Sequence, residues 1–159
     1  MSGEITTRLF ELINTRFQRT TAINKYFTMI YGIFEPNDRR LRYAAAGHPP
    51  IVLVPRSGDP RALATGRVPA GLFEEASWLE ITEDISPGDR LYLYTDGVIE
   101  ATSEEGVEFE VDRLISELGT HRELSLQESV DAIRARVESW CGENEPGDDV
   151  TILALEITS

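Results

Sequence analysis

Asp89-Arg90-Leu91-Tyr92-Leu93-Tyr94-Thr95-Asp96-Gly97 is the stretch whose reading decides the fold. Residues 91–94 are apolar and aromatic, rich enough in β-formers to predict a buried strand. The run stops at Thr95-Asp96-Gly97. Asp-Gly after a strand is a turn signal, because Gly accepts positive φ and Asp bonds its own following backbone. The same geometry leaves a carboxylate at the mouth of a sheet, within reach of a hard cation. A second acidic cluster, Gly147-Asp148-Asp149-Val150-Thr151, precedes the apolar run 152–155. Two such strand-edge acids, far apart in the chain, are able to meet at one end of one sheet.

Upstream of this stretch, Ser86-Pro87-Gly88-Asp89 predicts a turn, and residues 78–82 alternate apolar and polar as a half-buried strand does. Residues 61–77 read as irregular, with Gly66, Pro69 and Gly71 spread through them. Residues 51–54 predict a strand entered through Gly47-His48-Pro49-Pro50, whose prolines break the sheet run before it. Residues 25–34 and 40–46 predict a hairpin around Pro36-Asn37-Asp38. Residues 4–19 read as an amphipathic helix, with Ile5, Leu9, Leu12, Ile13 and Phe17 at helical spacing.

Downstream, residues 102–108 are polar and residues 111–118 predict a short helix. Ser125 and Glu128 have capping-box spacing for a further helix to about Cys141, burying Val130, Ile133, Val137 and Trp140, with Gly142 as its stop. The chain closes with a strand over 150–157. Strands cluster instead of alternating with helices, which favours an α+β layered arrangement over a doubly wound parallel sheet.

The 159 residues suit one domain over 1–159, and 41% hydrophobic residues suffice for a core. The net charge of −13, from 28 acidic and 15 basic residues, argues against nucleic-acid or anionic-membrane partners. It suits a cation site, a basic partner or simply a solvated surface. The single cysteine, Cys141, excludes an intrachain disulfide and reads as a packed thiol, and no zinc-type Cys/His set exists. No run is long enough to span a bilayer and no signal peptide opens the chain, so a cytoplasmic location is the default expectation.

Spacing alone favours the plainer reading of the acids: Asp96 as a turn residue, Asp148 and Asp149 as a loop end. The ordered set of motifs alters that weighing. Residues 27–32 (FTMIYG), 41–50 (LRYAAAGHPP), 87–101 (PGDRLYLYTDGVIEA) and 148–151 (DDVT) follow in sequence. In this the chain resembles the bacterial metal-dependent serine/threonine phosphatases of the type 2C superfamily, in the branch of sporulation protein IIE and the sigma-factor regulators. The resemblance runs over about residues 5–157. The segment ending in Tyr94-Thr95-Asp96-Gly97-Val98-Ile99-Glu100-Ala101 is its most specific part, and Asp-Asp-Val-Thr the weakest.

The resemblance implies an antiparallel β-sandwich flanked by helices, and hydrolysis of phosphoserine or phosphothreonine with two Mn2+ or Mg2+ ions. It assigns Asp96 and Asp148 as ligands of one metal, with Asp149 as a neighbour of variable role. It implies a phosphorylated protein substrate of the anti-anti-sigma type. The family's first acidic motif, an Asp-Val-x-Gly-His-Gly segment on a first β-hairpin that supplies the bridging Asp, has no counterpart in this sequence. Without it two carboxylates hold one cation weakly and nothing bridges a second. The expectation is therefore a fragment of a longer phosphatase, or a shortened chain inactive alone that keeps the fold as a regulatory or dimerisation domain. Open strand edges would let a second copy restore closure, as a homodimer. Phe109-Glu110 stands where the family more often has Phe-Gly. His48 reads as a lock for the bend at residues 47–50 more readily than as a general acid, and His121 as a solvated loop residue. Arg42 and Arg90 are candidates to receive a phosphate, against the plainer reading that they solubilise strand ends.

Overall fold

The computed structural model describes residues 5–20, 26–144 and 147–158. The elements are α1 (Ile5–Thr20), β1 (Met29–Glu35), β2 (Arg40–Ala46), β3 (Val52–Val54), β4 (Arg61–Ala62), β5 (Ile81–Asp84), β6 (Arg90–Tyr94), α2 (Val111–Thr120), α3 (Leu126–Cys141) and β7 (Ile152–Glu156). The chain divides into two compact units, Met1–His48 with Ala64–Ile85, and Pro49–Leu63 with Ser86–Ser159. Each unit holds one antiparallel sheet, so the expected α+β class with antiparallel sheets and flanking helices is what the chain adopts.

In the first unit the sheet order is β1-β2-β5. The predicted hairpin pairs Met29 with Ala46 through to Glu35 with Arg40. Residues 4 and 25, at the starts of the predicted helix and strand, lie outside the described residues. The helix face differs from the expectation. Leu12 is 61% exposed, and Phe10 is the fully buried residue, its ring 5.6 Å from that of Trp78. Asn14, a polar residue of the same helix, is buried. Its amide donates to the Phe73 and Glu74 carbonyls at 2.9 and 3.4 Å and accepts from the Gly71 N–H at 2.6 Å. A buried amide needs such partners, and three come from one loop.

The strand expected at 78–82 lies at Ile81–Asp84. Trp78 serves instead as a core anchor of the preceding loop, its indole N–H donating to the Val68 carbonyl at 2.7 Å. Pairing with β2 sets Ile81 opposite Tyr43 and Asp84 opposite Arg40. Alternation alone did not reveal that the loop would claim the tryptophan.

In the second unit the order is β4-β3-β6-β7, with β6 paired on both sides and β7 at the edge. The stretch 61–77 is irregular as expected apart from the two-residue β4; only residues 61–63 of it belong to this unit. Tyr92 and Tyr94 join Val52 and Val54 in one cluster with Leu114, Leu118, Ile133, Val137 and Cys141 from α2 and α3. Burial of these aliphatic and aromatic groups, each contributing roughly 1.5–3 kcal/mol, fixes which face of β6 meets the helices. The Tyr92 hydroxyl lies 2.8 Å from the Ser129 hydroxyl of α3. Cys141 is a packed thiol, as expected. Val130 and Trp140, expected buried, are partly buried, with Trp140 held between the helices under the Arg113 guanidinium, 4.1 Å from its ring centroid.

The capping box at α3 forms as the spacing predicts. Ser125 Oγ accepts from the Glu128 N–H at 3.3 Å, and the Ser125 N–H and hydroxyl donate to Glu128 Oε2 at 2.9 and 2.6 Å. Those hydrogen bonds hold the Glu128 carboxyl below its ordinary value. His121 is half-buried, its Nδ1 2.8 Å from the Glu117 carbonyl, instead of solvated. Glu110 begins α2 at φ 64° and ψ 156°. On β7, Leu153 and Leu155 are 53% and 46% exposed.

Candidate metal centre

The candidate site is built where β6 ends. Thr95 continues the extended backbone at φ −78° and ψ 156°, and its N–H donates to the Thr151 carbonyl at 3.1 Å. The Thr95 hydroxyl donates to the Asp149 carbonyl at 2.6 Å and accepts from the Thr151 N–H at 2.9 Å. One threonine thus clasps the segment before β7 through three hydrogen bonds, just past the last rung of the β6–β7 ladder, Tyr94 with Ile152.

Immediately after the clasp, Asp96–Val98 forms one 3-10 turn. The Asp96 carbonyl accepts from the Ile99 and Glu100 N–H groups, both at 2.9 Å. Gly97 is required by close approach. A Cβ built there would lie 2.6 Å from the Asp149 carbonyl oxygen and 3.0 Å from that of Asp148. The Asp-Gly turn and the Asp-Asp segment are therefore in direct backbone contact, as the sequence reading required of the two acidic stretches.

Asp96, Asp148 and Asp149 are all exposed. Asp148 Oδ1 accepts from the Asp149 N–H at 2.7 Å, which orients that carboxylate along its own turn. The Asp148–Asp149 carbonyls and the three carboxylates are hard oxygen donors of the kind Mg2+ or Mn2+ accepts together with retained water. Among the described residues no three or more His, Cys, Asp or Glu side chains are grouped so as to hold a metal ion. By donor type these oxygens suit one hard cation, and among the described residues they do not make up a two-ion centre.

The remaining candidates lie elsewhere or are already engaged. Arg42 is buried, 2.9 Å from Glu35 and 3.3 Å from Glu80. Arg90 pairs with Glu156 at 2.7 Å and donates to the Arg122 carbonyl at 3.1 Å. Both are structural cations before any phosphate arrives. His48 is half-buried, and its carbonyl accepts from the Thr65 hydroxyl at 3.0 Å, tying down the bend after β2. Gly97, read from the sequence as a positive-φ turn residue, is not among the glycines with positive φ and is needed for close approach instead, while Thr95 and Thr151 carry the geometry without having been singled out. The only signal for the two threonines was their position beside the acids.

Behind the turn, Tyr94 points its phenol into the helix-packed core. Burial pushes the phenol pKa well above its ordinary value, and among the described residues its hydroxyl has no hydrogen-bond partner. No described helix is long and apolar enough to cross a membrane.

The family model for stage II sporulation protein E (SpoIIE) matches residues 2–158. Phosphoserine phosphatase RsbP of Bacillus subtilis is 32% identical over 91 residues, 57% of this chain and 23% of that protein. The chain thus spans under a quarter of that relative's length. Among solved structures, the SiaA-PP2C domain of Pseudomonas aeruginosa superposes with a TM-score of 0.81 at 22% identity, covering 96% of this chain and 60% of that one. The SpoIIE phosphatase domain of Bacillus subtilis, presoaked with Mn, gives a TM-score of 0.72 at 19% identity, covering 94% and 65%. The fold is that of these type 2C phosphatase domains.

Proposed function

Because this chain belongs to the stage II sporulation protein E family, we propose that it is a metal-dependent phosphoserine and phosphothreonine protein phosphatase domain. It forms one type 2C-like domain over residues 1–159 and works in the cytoplasm. The observation that carries the reading is the Thr95 clasp, which holds the Asp96 turn against the Asp148-Asp149 segment.

Asp96 and Asp148 hold a Mn2+ or Mg2+ ion, with Asp149 beside them. A bound ion of this kind lowers the pKa of water towards neutrality and stabilises negative phosphoryl oxygens. Thr95 sets the separation of the two acidic turns, and Gly97 lets their backbones touch. The exposure of all three carboxylates leaves the site open to a phosphorylated side chain on another protein. A substrate of the anti-anti-sigma type follows from the resemblance of the motifs, and a relative named for phosphoserine hydrolysis supports the chemistry. The acidic surface, −13 in net charge, supports a protein substrate over nucleic acid or membrane. The edge position of β7 supports pairing with a second copy as a homodimer.

A second reading, a noncatalytic regulatory domain of the same fold, is favoured by one observation. No grouping of three ligands occurs among the described residues. Calorimetric titration with Mn2+ and hydrolysis of p-nitrophenyl phosphate separate the two. The phosphatase reading expects uptake of Mn2+ and metal-dependent turnover, both abolished by Asp96→Asn. Absence of both, at every Mn2+ concentration, in the unmodified chain and in one extended N-terminally by an Asp-Val-x-Gly-His-Gly hairpin, would transfer the protein to the second reading.

A further inference from the structure

We propose that an arginine-lined pocket at the opposite end of β6 from Asp96 binds a small organic anion carrying a phosphate group. The pocket lies wholly in the second unit and measures about 380 Å³, within the usual range for small-molecule sites of roughly 300–1,000 Å³. Arg56, Arg90 and Arg122 line it together with Glu123 and Glu156. On a chain of net charge −13 this is a local excess of positive charge.

The three arginines are not equivalent. Arg90 is neutralised by Glu156 at 2.7 Å. Arg122 donates through Nη2 to the Gly58 carbonyl at 2.7 Å, while its Nε is buried and has no hydrogen-bond partner among the described residues. Neither Arg122 nor Arg56 has a carboxylate within ion-pair distance among the described residues. Guanidinium groups without a carboxylate partner donate forked hydrogen bonds to phosphate oxygens.

The position of Arg56 is built rather than incidental. Its backbone N–H donates to Asp89 Oδ1 at 2.8 Å, and Asp89, itself buried, also accepts from the Ser86 N–H at 2.8 Å. The Arg56 side chain then lies over Gly88, its Cδ only 2.7 Å from where a Cβ would stand. Any other residue at 88 would displace it.

Two features narrow the ligand. Glu156 already holds Arg90 and Glu123 adds a second negative charge to the lining, which disfavours a monoanion, whereas a phosphate monoester carries about −1.5 to −2 charges at neutral pH. Val54, Pro55, Pro87 and Ile157 form an apolar wall, which suits an organic body on the phosphate. Free phosphate shares the charge but not the body. The strand between the two sites is five residues long, so the pocket stands about 15 Å or more from the acidic turns.

The test is calorimetry on the full chain in EDTA, which removes metal-mediated phosphate binding, with adenosine monophosphate, inorganic phosphate and adenosine as probes. The expectation is adenosine monophosphate binding with a Kd of about 10 μM to 1 mM, weaker phosphate binding and none for adenosine. Arg56→Gln and Arg122→Gln should each weaken binding about tenfold, and Asp96→Asn should leave it unchanged. Arg56 is exposed, so its substitution reports on the site even if the Arg122 variant misfolds. No binding of either phosphate at about 10 mM would overturn the proposal. So would undiminished binding in the Arg56→Gln variant, or equal binding of adenosine. Equal affinity for phosphate and the nucleotide would overturn the organic ligand. Loss of binding in Asp96→Asn would place the anion at the acidic turns instead. The proposal does not rest on the phosphatase reading, whose own failure would be seen in the Mn2+ titration.

Discussion

Replacing Glu110 with glycine should make this protein more stable. Glu110 sits at φ 64° and ψ 156°, a region that residues with a Cβ occupy at a cost of roughly 1–3 kcal/mol. Two hydrogen bonds hold it there: its N–H donates to the Ile99 carbonyl at 2.8 Å, and its carbonyl accepts from the Leu114 N–H at 3.3 Å. The side chain is exposed and makes no cap hydrogen bond, so truncation removes no packing. Against the relief stand the added freedom of glycine in the unfolded chain, roughly 0.5–1 kcal/mol, and loss of a negative charge at a helix N-terminus, about 0.3–1 kcal/mol. With strain near the middle of its range, a net gain of about 0–1.2 kcal/mol remains, centred on ~0.6 kcal/mol, or about 1–3 °C in Tm for a chain of this length. Glu110→Ala is the control, because it loses the charge and keeps the Cβ, so it should be no more stable than the parent. Thermal and urea denaturation followed by circular dichroism measure both. A glycine variant no more stable than the alanine variant would refute the argument from backbone strain.

Other consequences are equally direct. Tyr94→Phe removes a buried hydroxyl without a partner among the described residues and should be neutral or slightly stabilising, whereas Tyr92→Phe leaves the Ser129 hydroxyl without its tyrosine partner and should cost about 1 kcal/mol by urea denaturation. Gly97→Ala drives a methyl into the Asp149 carbonyl and should destabilise by about 1–3 kcal/mol while weakening any Mn2+ uptake, both read on the same preparation. The Glu128 carboxyl titrates below its ordinary 4.5, so its contribution is present above that pH and is lost as pH falls through the lowered value. A Ser125→Ala variant should therefore be less stable than the parent at pH 7, with the gap narrowing under acid, as read from Tm against pH.

What the chain reveals unaided is the part governed by local rules. The β6 run, the hairpin, the capping box at Ser125 and the Asp-Gly turn each follow from propensity or fixed spacing, and each formed. The failures share a cause. Leu12 and Phe10 both fit a helical stripe, and only contact with Trp78 decides which is buried. Trp78 has strand-like neighbours, but its indole hydrogen bond fixes it in a loop. Asn14 becomes a buried linchpin because a loop 57 residues away supplies its partner. At the site, the acids were legible and Thr95 was not, since its three bonds reach residues more than fifty positions later. Glu110 was visible as an unusual choice, but its cost appears only once φ is known.

The outer flank of β7 has a further consequence for the protein in solution. Its sequence, ILALE, presents two exposed leucines at the margin of a sheet and only one charge. Mutual repulsion between molecules carrying thirteen excess negative charges opposes the approach of two such margins. Concentrated salt shortens the reach of that repulsion to about 3 Å at 1 M. Pairing of two copies along β7 should therefore weaken in dilute buffer well above the isoelectric point of about 4.5 and strengthen as salt is added.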